Sequence, residues 1–421
     1  MAHQTVDSHA ATGETVGQRT STFHSLRYRD FRYMWQGQIG ASASQWMEQI
    51  ARPFLILELT DSYFLVGLIA ATRMVPMLFV GIWAGVIADR MDKKKILVMC
   101  QAVTFGAHAV TALLILTGLI DPIAVFVGTF VTGCAQAFNQ PARQSLIPRL
   151  VPRENLANAL ALNSAAFNIM RTGGPAIAGA VLAVAGFEGV YVLQTLVYVW
   201  VIWSTSQIRE HGEPVNRERA SMKTELIEGF AAVKRDRIIF YIMVLCLALF
   251  IFGMPFQAVF IPLIAVESLD LSKETAGILL SAVGLGALLG ALVVATVGDS
   301  VRNRGMLMIS MILLFCIGLL VFARGETLLT AIPALLLCGA MQTSFMSLNN
   351  AFVLGRTPPE LHGRVLSLFS LDRGLVPLGA TLAGALSASL GAADALTIMA
   401  GLCLVFTLLV AALVPSLRRI H

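Results

Sequence analysis

The chain has 421 residues, of which 57% are hydrophobic and only 13% are charged. Water-soluble globular domains usually carry about 25% charged residues. The composition of this chain therefore excludes a water-soluble globular protein and indicates an integral membrane protein. The net charge of +5 does not indicate nucleic-acid binding, because the cations lie in polar segments that suit an anionic membrane surface.

Polar residues fill the first thirty positions, which lack the apolar core of a signal peptide and predict a disordered cytoplasmic tail (1–30). Stretches of about 20 apolar residues, long enough to cross a bilayer core as helices, then recur to the end of the chain. In the N-terminal half (31–206) these spans are 32–57, 64–88, 96–119, 123–143, 160–185 and 190–206. A charged cytoplasmic linker (207–237) leads to the C-terminal half (238–415). Its spans are 239–266, 276–297, 305–323, 328–353, 365–390 and 395–414, and residues 416–421 form a second cytoplasmic tail.

Continuous apolar runs without two-residue alternation predict helices rather than a β-barrel. The two halves also resemble each other in sequence: Gly67 matches Gly277, and Arg171 matches Arg373. With six spans in each half, both halves enter the membrane from the same side. The sequence therefore predicts an all-α membrane protein of twelve helices in two parallel six-helix repeats. Secondary transporters are often built in this way, with the substrate site between the repeats.

The distribution of cations predicts the orientation. Of the 30 Lys and Arg residues, only Lys273 and Arg324 fall in the turns assigned to one side, whereas the tails, the linker and the opposite turns are basic. We therefore expect both termini in the cytoplasm and the chain in the plasma (inner) membrane. The six cysteines are isolated in apolar stretches without metal-binding spacing, so we expect buried thiols, no metal and no cofactor.

The turn after the second span reads Gly85-Val-Ile-Ala-Asp89-Arg90-Met-Asp92-Lys93-Lys94-Lys95. An Asp at a helix end followed by cations can cap helices and form switchable ion pairs. This segment resembles the cytoplasmic signature of the major facilitator superfamily, G-x-x-x-D-R-x-G-x-K/R-K/R, with Asp92 at the position of the second Gly.

The resemblance implies the twelve-helix fold of that superfamily and a cytoplasmic gate built from both halves. The gate residues would be Gly85, Asp89, Arg90, Lys94, Asp299 and Arg302. Alternatively, these residues only cap helices and enforce topology. Residues 139–152 and 358–365 also look like the branch of the superfamily that contains enterobactin-type and macrolide-type exporters. The resemblance covers Ser25 to Pro415 and implies a transporter rather than an enzyme.

The fifth span contains Gly174-Pro175-Ala176-Ile177-Ala178-Gly179, which partly matches the antiporter signature G-P-x-x-G-G of the superfamily. Small residues at this spacing let helices approach closely. Together with Arg171 and its repeat equivalent Arg373, this segment is a candidate for helix packing or gating. The alternative is ordinary packing of small residues.

Ionisable residues at membrane depth are functional candidates, because each costs a few kcal/mol or more there. Glu48, Asp372 and Arg73 are our candidates for proton or ion coupling. Arg73 stands out because Val283 takes its place in the second half. Glu48 can pair with Arg52, one helical turn later. Alternatively, such charges form static ion pairs that fix helix packing.

Polar side chains within the spans are candidates for the wall of a substrate cavity: Gln45, Gln49, Gln136, Asn139, Gln257 and Gln342. His108 is interpreted instead as an ordinary buried histidine. Glycine-rich phosphate loops, zinc spacings and nucleophile constellations are missing from the sequence, which predicts no ATP site and no enzymatic chemistry.

The leading hypothesis is a monomeric secondary active transporter that exports a hydrophobic or amphipathic small molecule by alternating access, as a proton antiporter. A drug, a siderophore-like molecule or a lipophilic metabolite would fit, and protons and membrane lipid would be its other partners. Two alternatives stay open. One is a proton-coupled importer of a polar metabolite, which the small number of Tyr (6) and Trp (5) residues disfavours for sugars. The other is a non-transporting lipid-handling or sensor protein on the same fold.

Overall fold

A computed structural model of the chain describes residues 23–210, 236–297, 303–357 and 374–418, and all regular elements among these are helical. The first half begins with α1 (Arg29–Thr60), α2 (Tyr63–Arg90), α3 (Lys93–Leu116) and α4 (Pro122–Leu150). The last helical stretch of this half, Leu156–Ser206, is broken at Gly186, whose φ of 60° and ψ of −163° are not helical. We call its two parts α5 (156–185) and α6 (187–206).

The second half begins with a span that is not one continuous α-helix. It consists of α7 (Arg237–Ala248), a π-helical turn (Leu249–Gly253), a 3₁₀ turn (Met254–Phe256) and α8 (Phe260–Glu267). The remaining helices are α9 (Lys273–Val297), α10 (Arg304–Ala323), α11 (Leu328–Arg356), α12 (Val376–Leu390), α13 (Ala392–Leu413) and the short α14 (Pro415–Arg418).

Helices occur at each of the twelve predicted spans, although the span 365–390 is described only from residue 374. Within the described ranges, eight helical stretches are long and apolar enough to cross a membrane, and Tyr63–Met77 and α12 are shorter apolar helices. α1 is not among them, and its middle carries Gln45, Glu48 and Arg52. The predicted multi-pass, all-α membrane fold is therefore confirmed.

Aspartates begin three of the helices and explain where these start. Asp92 accepts hydrogen bonds from the backbone N–H groups of Lys94 (2.9 Å) and Lys95 (3.3 Å) at the start of α3. Asp121 and Asp236 cap α4 and α7 in the same way. The departure of Asp92 from the superfamily signature thus has a local reason, since an Asp at this position satisfies free N–H groups that a Gly leaves open.

The two halves meet along two pairs of helices, α5 with α9 and α2 with α12. Glycines at repeat-equivalent positions permit both contacts. A Cβ on Gly67 would lie 2.6 Å from the Cα of Gly384, and a Cβ on Gly277 would lie 2.5 Å from the carbonyl oxygen of Pro175. Because no side chain fits at Gly67 or Gly277, the helices of the two halves approach with backbone against backbone.

The interiors of the two halves differ in polarity. Apolar side chains and the buried thiols of Cys246, Cys316, Cys338 and Cys403 fill much of the C-terminal half. The N-terminal half instead buries charged and polar groups near its centre, which the next section describes. All six cysteines are free, and five of them are buried as predicted, whereas Cys134 is half-buried.

Candidate functional site

Two polar faces of α1 organise the centre of the molecule. Side chains four residues apart share a side of a helix. Ser44, Glu48 and Arg52 therefore lie on one side, which we call the inner face because it points into the N-terminal half. Gln45, Trp46 and Gln49 lie on an adjacent side, which we call the central face.

The inner face holds a buried ion pair. Glu48 and Arg52 are only 7% and 4% exposed, and the guanidinium of Arg52 pairs with the carboxylate of Glu48. This confirms the pairing predicted from their spacing. A small cavity adjoins the pair. It is lined by residues of α1, α3, α4 and α6: Glu48, Arg52, Ala107, His108, Thr111, Val125, Gly128, Thr129, Thr132 and Tyr191.

His108 of α3 closes one side of this cavity. Its Nε2 lies 3.4 Å from Oγ of Ser44. The imidazole is also tilted against the rings of Tyr198 and Tyr191, with centroid separations of 5.4 and 6.2 Å. His108 is buried among these neighbours, as the sequence predicted, but its contact with Ser44 could not be read from the sequence.

The central face joins α1 to the two neighbouring helices of its own half. Nη1 of Arg73 on α2 donates to Oε1 of Gln49 at 3.0 Å. Nε2 of Gln136 on α4 donates to Oε1 of Gln45 at 3.4 Å. Asn139, another predicted cavity residue, lies half-buried one turn further along α4. The structure thus brings four of the predicted polar residues together in two hydrogen-bonded pairs.

Arg171 of α5 connects the two halves at the centre. Its Nη2 donates to Oε1 of Gln342 at 3.0 Å, and its Nη1 donates to Oγ1 of Thr343 at 3.3 Å, both on α11. Its guanidinium also lies over the ring of Trp46, 5.5 Å from the centroid. Oε1 of Gln342 accepts a second hydrogen bond from Gln257, also at 3.0 Å. The link between the halves therefore consists of a cation and neutral amide and hydroxyl groups.

The break in the seventh span places Gln257 in this network. The sequence predicted one continuous helix over 239–266, and this was wrong between residues 249 and 259. The π turn and Pro255 interrupt the α-helix, and Met254 and Gln257 then both contact Gln342. Turns of this kind are frequent at functional sites. The run Gly253-Met254-Pro255 was the sequence signal that could have revealed the break.

The antiporter-like segment packs α5 between α1 and α9. A Cβ on Gly174 would lie 2.6 Å from the Cβ of Trp46, so this glycine allows α5 to contact the central face. Pro175 and Gly179 lie against Gly277 of the other half. The segment therefore forms part of the interface between the halves, next to Arg171.

The predicted gate residues lie near the end of α2, at the start of α3 or outside the described residues. Gly85, Asp89 and Arg90 fall in the last turns of α2. Nζ of Lys94 donates to the carbonyl oxygen of Ile208 at 2.6 Å, which ties α3 to the residues after α6. Four other candidates lie outside the described residues: Asp299, Arg302, Asp372 and Arg373.

An ion pair that the sequence did not predict joins the halves at the end of α1. Nζ of Lys273, at the start of α9, lies 2.6 Å from a carboxylate oxygen of Glu58 and 4.5 Å from the ring centroid of Phe187. The tight contacts of Gly67 and Gly277 belong to the same end of the molecule, near the first turns of α2 and α9. This end, which we call the Glu58 end, is therefore closed.

The sequence model of the transmembrane secretion effector family, which is part of the major facilitator superfamily, matches residues 20–420. The chain belongs to the major facilitator superfamily. It is 25% identical to the staphyloferrin A transporter of Staphylococcus aureus, over 83% of this chain and 88% of that protein. It is 23% identical to macrolide efflux protein A of Streptococcus pyogenes, over 86% and 90% of the two chains. It is 25% identical to the multidrug efflux pump Tap of Mycobacterium tuberculosis, over 90% and 92%.

Solved transporter structures share this major facilitator fold. The peptide transporter POT in complex with sulfate matches with a TM-score of 0.76 at 11% identity, over 92% of this chain and 95% of that one. A bacterial homologue of the human lysosomal transporter Spinster, solved facing inward and unoccupied, matches with a TM-score of 0.73 at 13% identity, over 93% and 98%. At such identities these structures show the fold alone. Family, relatives and fold agree that this is a multi-pass membrane transporter of the major facilitator superfamily.

Proposed function

We propose that the protein is a monomeric exporter of the plasma membrane, which expels a hydrophobic or amphipathic small molecule by alternating access in exchange for protons. The observation that carries this proposal is the bridge from Arg171 to Gln342 between the halves. Its hydrogen bonds have neutral acceptors, so they can break and re-form as the halves move without separating opposite charges. The relatives named as efflux proteins support the direction of transport.

The central face and the residues that contact it form the proposed substrate site. It combines carboxamides with the rings of Trp46 and Phe167, whose centroids lie 5.6 Å apart in an edge-to-face arrangement. Small-molecule sites are usually concave and apolar with a few polar groups that orient the ligand. Because the Glu58 end is closed, a substrate would enter this site from the opposite end in the conformation described here.

Glu48 is the proposed proton carrier. Among the described residues it is the one carboxylate that lies in the middle of a predicted span. Protonation of Glu48 would remove the counter-charge of Arg52, and both residues lie on the helix that carries the central face. A change in the ion pair can therefore reach the substrate site through α1 alone. Asp372 remains a second candidate for this role.

The test measures accumulation of lipophilic dyes and antibiotics in efflux-deficient cells that express the chain, with and without a protonophore. We expect lower accumulation that the protonophore restores and that Glu48→Gln also restores, with transport normalised to the amount of folded protein. Glu326→Gln, which removes an exposed carboxylate, is the matched control and should transport normally. If accumulation is unchanged across the panel, or if Glu48→Gln transports normally, proton-driven export through Glu48 is wrong.

The second candidate function is import of a polar metabolite. It is favoured by the carboxamides that form hydrogen bonds near the centre: Gln45, Gln49, Gln136, Gln257 and Gln342. The same cells distinguish the two directions, because an importer would raise accumulation of its substrate and the protonophore would lower it.

The proposed orientation has both termini in the cytoplasm and the Glu58 end outside. Its support is the basic character of the opposite turns. A fusion of green fluorescent protein to the C-terminus should fluoresce, and a fusion of alkaline phosphatase at the same position should be inactive. The reverse pattern would contradict this orientation.

A further inference from the structure

We propose that the exported molecule carries an anionic group, a carboxylate or a phosphate, which binds between Arg73 and Arg171 on the central face. This inference rests on the proposed transport function and narrows its substrate class. Arg73 hydrogen-bonds Gln49, and Arg171 stacks on Trp46. Residues three apart on a helix are neighbours, with about 5–6 Å between their Cβ atoms, so both guanidiniums reach the same turn of α1.

No carboxylate within the described ranges is paired with the two arginines at this turn. Among the described residues, the hydrogen bonds and the ring contact of the two arginines are with neutral groups: Gln49, Gln342, Thr343 and Trp46. Arg73 also lies within electrostatic range of Arg52, which is a second cation. Glu48, the carboxylate nearest along α1, is already paired with Arg52 on the inner face. A cation at membrane depth is costly and usually has a counter-charge or a functional role. An anionic ligand would supply the missing counter-charge to both arginines.

The hydrogen-bonding groups at this turn are also mostly donors. Nε of Arg171 and Nε1 of Trp46 are buried and have no hydrogen-bond partner among the described residues. Each guanidinium carries five N–H donors in a planar fork that matches a carboxylate or phosphate, and Arg73 uses Nη1 to bind Gln49. A neutral ligand with a single oxygen would leave most of these donors unused. A cationic ligand would be repelled by both arginines.

The rest of the site suits an apolar ligand tail. In the N-terminal half, the rings of Trp46 and Phe167 pack against each other. In the C-terminal half, Met254 contacts Gln342. Methionine side chains adapt to ligands of varied shape. The combination of an anion site with these side chains identifies an amphipathic anion as the substrate class.

Displacement of a fluorescent probe from the purified full-length protein in neutral detergent tests this proposal. The probe is dansylundecanoic acid, and the competitors share a dodecyl chain: dodecanoate, dodecyl phosphate, dodecanol and dodecyltrimethylammonium. We expect at least one of the two anions to displace the probe at a concentration about tenfold or more below that of dodecanol and of the cation, because hydrogen bonds to charged groups contribute strongly. Whichever of dodecanoate and dodecyl phosphate displaces the probe at the lower concentration then shows whether the site prefers a carboxylate or a phosphate.

Variants of the two arginines test whether the anion preference depends on them. Arg73→Gln and Arg171→Gln should each weaken displacement by the preferred anion about tenfold and leave displacement by dodecanol unchanged. Arg73→Lys and Arg171→Lys keep the positive charge and should retain part of the anion preference. These variants distinguish the loss of a charge from a general defect in folding. Arg324→Gln is the control, because that arginine is exposed and pairs with Asp394 away from the site.

The proposal is overturned if the probe does not bind, if all four competitors act alike, if the cation is preferred, or if the arginine variants keep the anion preference. Its failure is distinguishable from failure of the proposed function. Protonophore-sensitive export of neutral dyes without an anion preference would contradict only the substrate class. An anion preference without gradient-driven export in cells would contradict only the transport direction or its coupling.

Discussion

The ammonium of Lys273 lies 2.6 Å from the carboxylate of Glu58 and so joins the first turn of α9 to the last turns of α1. The two side chains are 33% and 56% exposed, so the ion pair is screened by solvent and contributes at most about 1 kcal/mol. A weak link of this kind suits a closure that must open in each transport cycle. It can bias the equilibrium between open and closed states without trapping either one.

Glu58→Gln should therefore open the Glu58 end more often, by a factor of roughly five or less. A cysteine introduced at Ala276, which is buried near Lys273, reports this opening through its rate of reaction with a membrane-impermeant maleimide. The charge-reversed pair Glu58→Lys with Lys273→Glu should return the rate to that of the parent protein. Equal rates in the parent and in Glu58→Gln would show that the ion pair does not hold this end closed.

Gly67→Ala and Gly277→Ala should both impair transport, because the added methyl groups would collide with the backbone of Gly384 and of Pro175. Overpacking of this kind typically costs about 1–3 kcal/mol, so the closed state should lose roughly tenfold or more in population. Transport rate and thermal unfolding of the purified variants measure the effect. Gly106→Ala is the matched control, since a Cβ at that helical position meets no atom within 4 Å. Normal transport by Gly67→Ala would contradict the close contact between the halves.

Glu48→Gln should destabilise the protein as well as stop proton-coupled export. Removing one partner of a buried ion pair leaves the other charge unpaired and costs about 3–5 kcal/mol. The double variant Glu48→Gln with Arg52→Gln should recover most of the thermal stability and still show no protonophore-sensitive export. The unfolding temperature and the accumulation of dye in cells are measured for the same variants. Restored export in the double variant would mean that Glu48 and Arg52 are a static pair.

Gln342→Glu should lock the two halves together. The change preserves shape but places a carboxylate where Oε1 of Gln342 now accepts from Arg171 at 3.0 Å. A charge-assisted hydrogen bond is roughly twice as strong as a neutral one, so we expect a higher unfolding temperature and transport reduced about tenfold or more. Displacement of the probe by the anionic competitors should also weaken. Gln207→Glu, a change of the same shape at the residue that follows α6, should produce none of these effects.

The fold could be predicted from the sequence because long apolar stretches in lipid have few alternatives to helices. The pairing of Glu48 with Arg52 could also be predicted, because it depends only on spacing within one helix. The contact between Arg171 and Gln342 could not, since the two residues are far apart in the chain and meet through the packing of α5 and α11. The same is true of Lys273 and Glu58.

The sequence pattern predicts which residues within the spans are polar, but not which face of a helix each side chain occupies. Polarity alone identified Gln49, Gln257 and Gln342, and the structure places each of them in a hydrogen bond near the centre. Its position within a span made Glu48 a candidate for proton coupling, but the sequence did not predict that its side chain lies on the inner face, within the N-terminal half. The difference is a rotation of one residue around α1, which hydropathy does not determine when both faces are polar.

The two faces of α1 place the pair of Glu48 and Arg52 and the proposed substrate site on one helix. A tightly bound blocker wedged against Trp46 would immobilise Glu48 without touching it. Such a compound would arrest proton movement and substrate movement together, and raising the proton gradient would not relieve the block. Resistance to it would arise through substitutions in the neighbours of α1 that loosen this helix, as well as through substitutions at the blocker's own contacts.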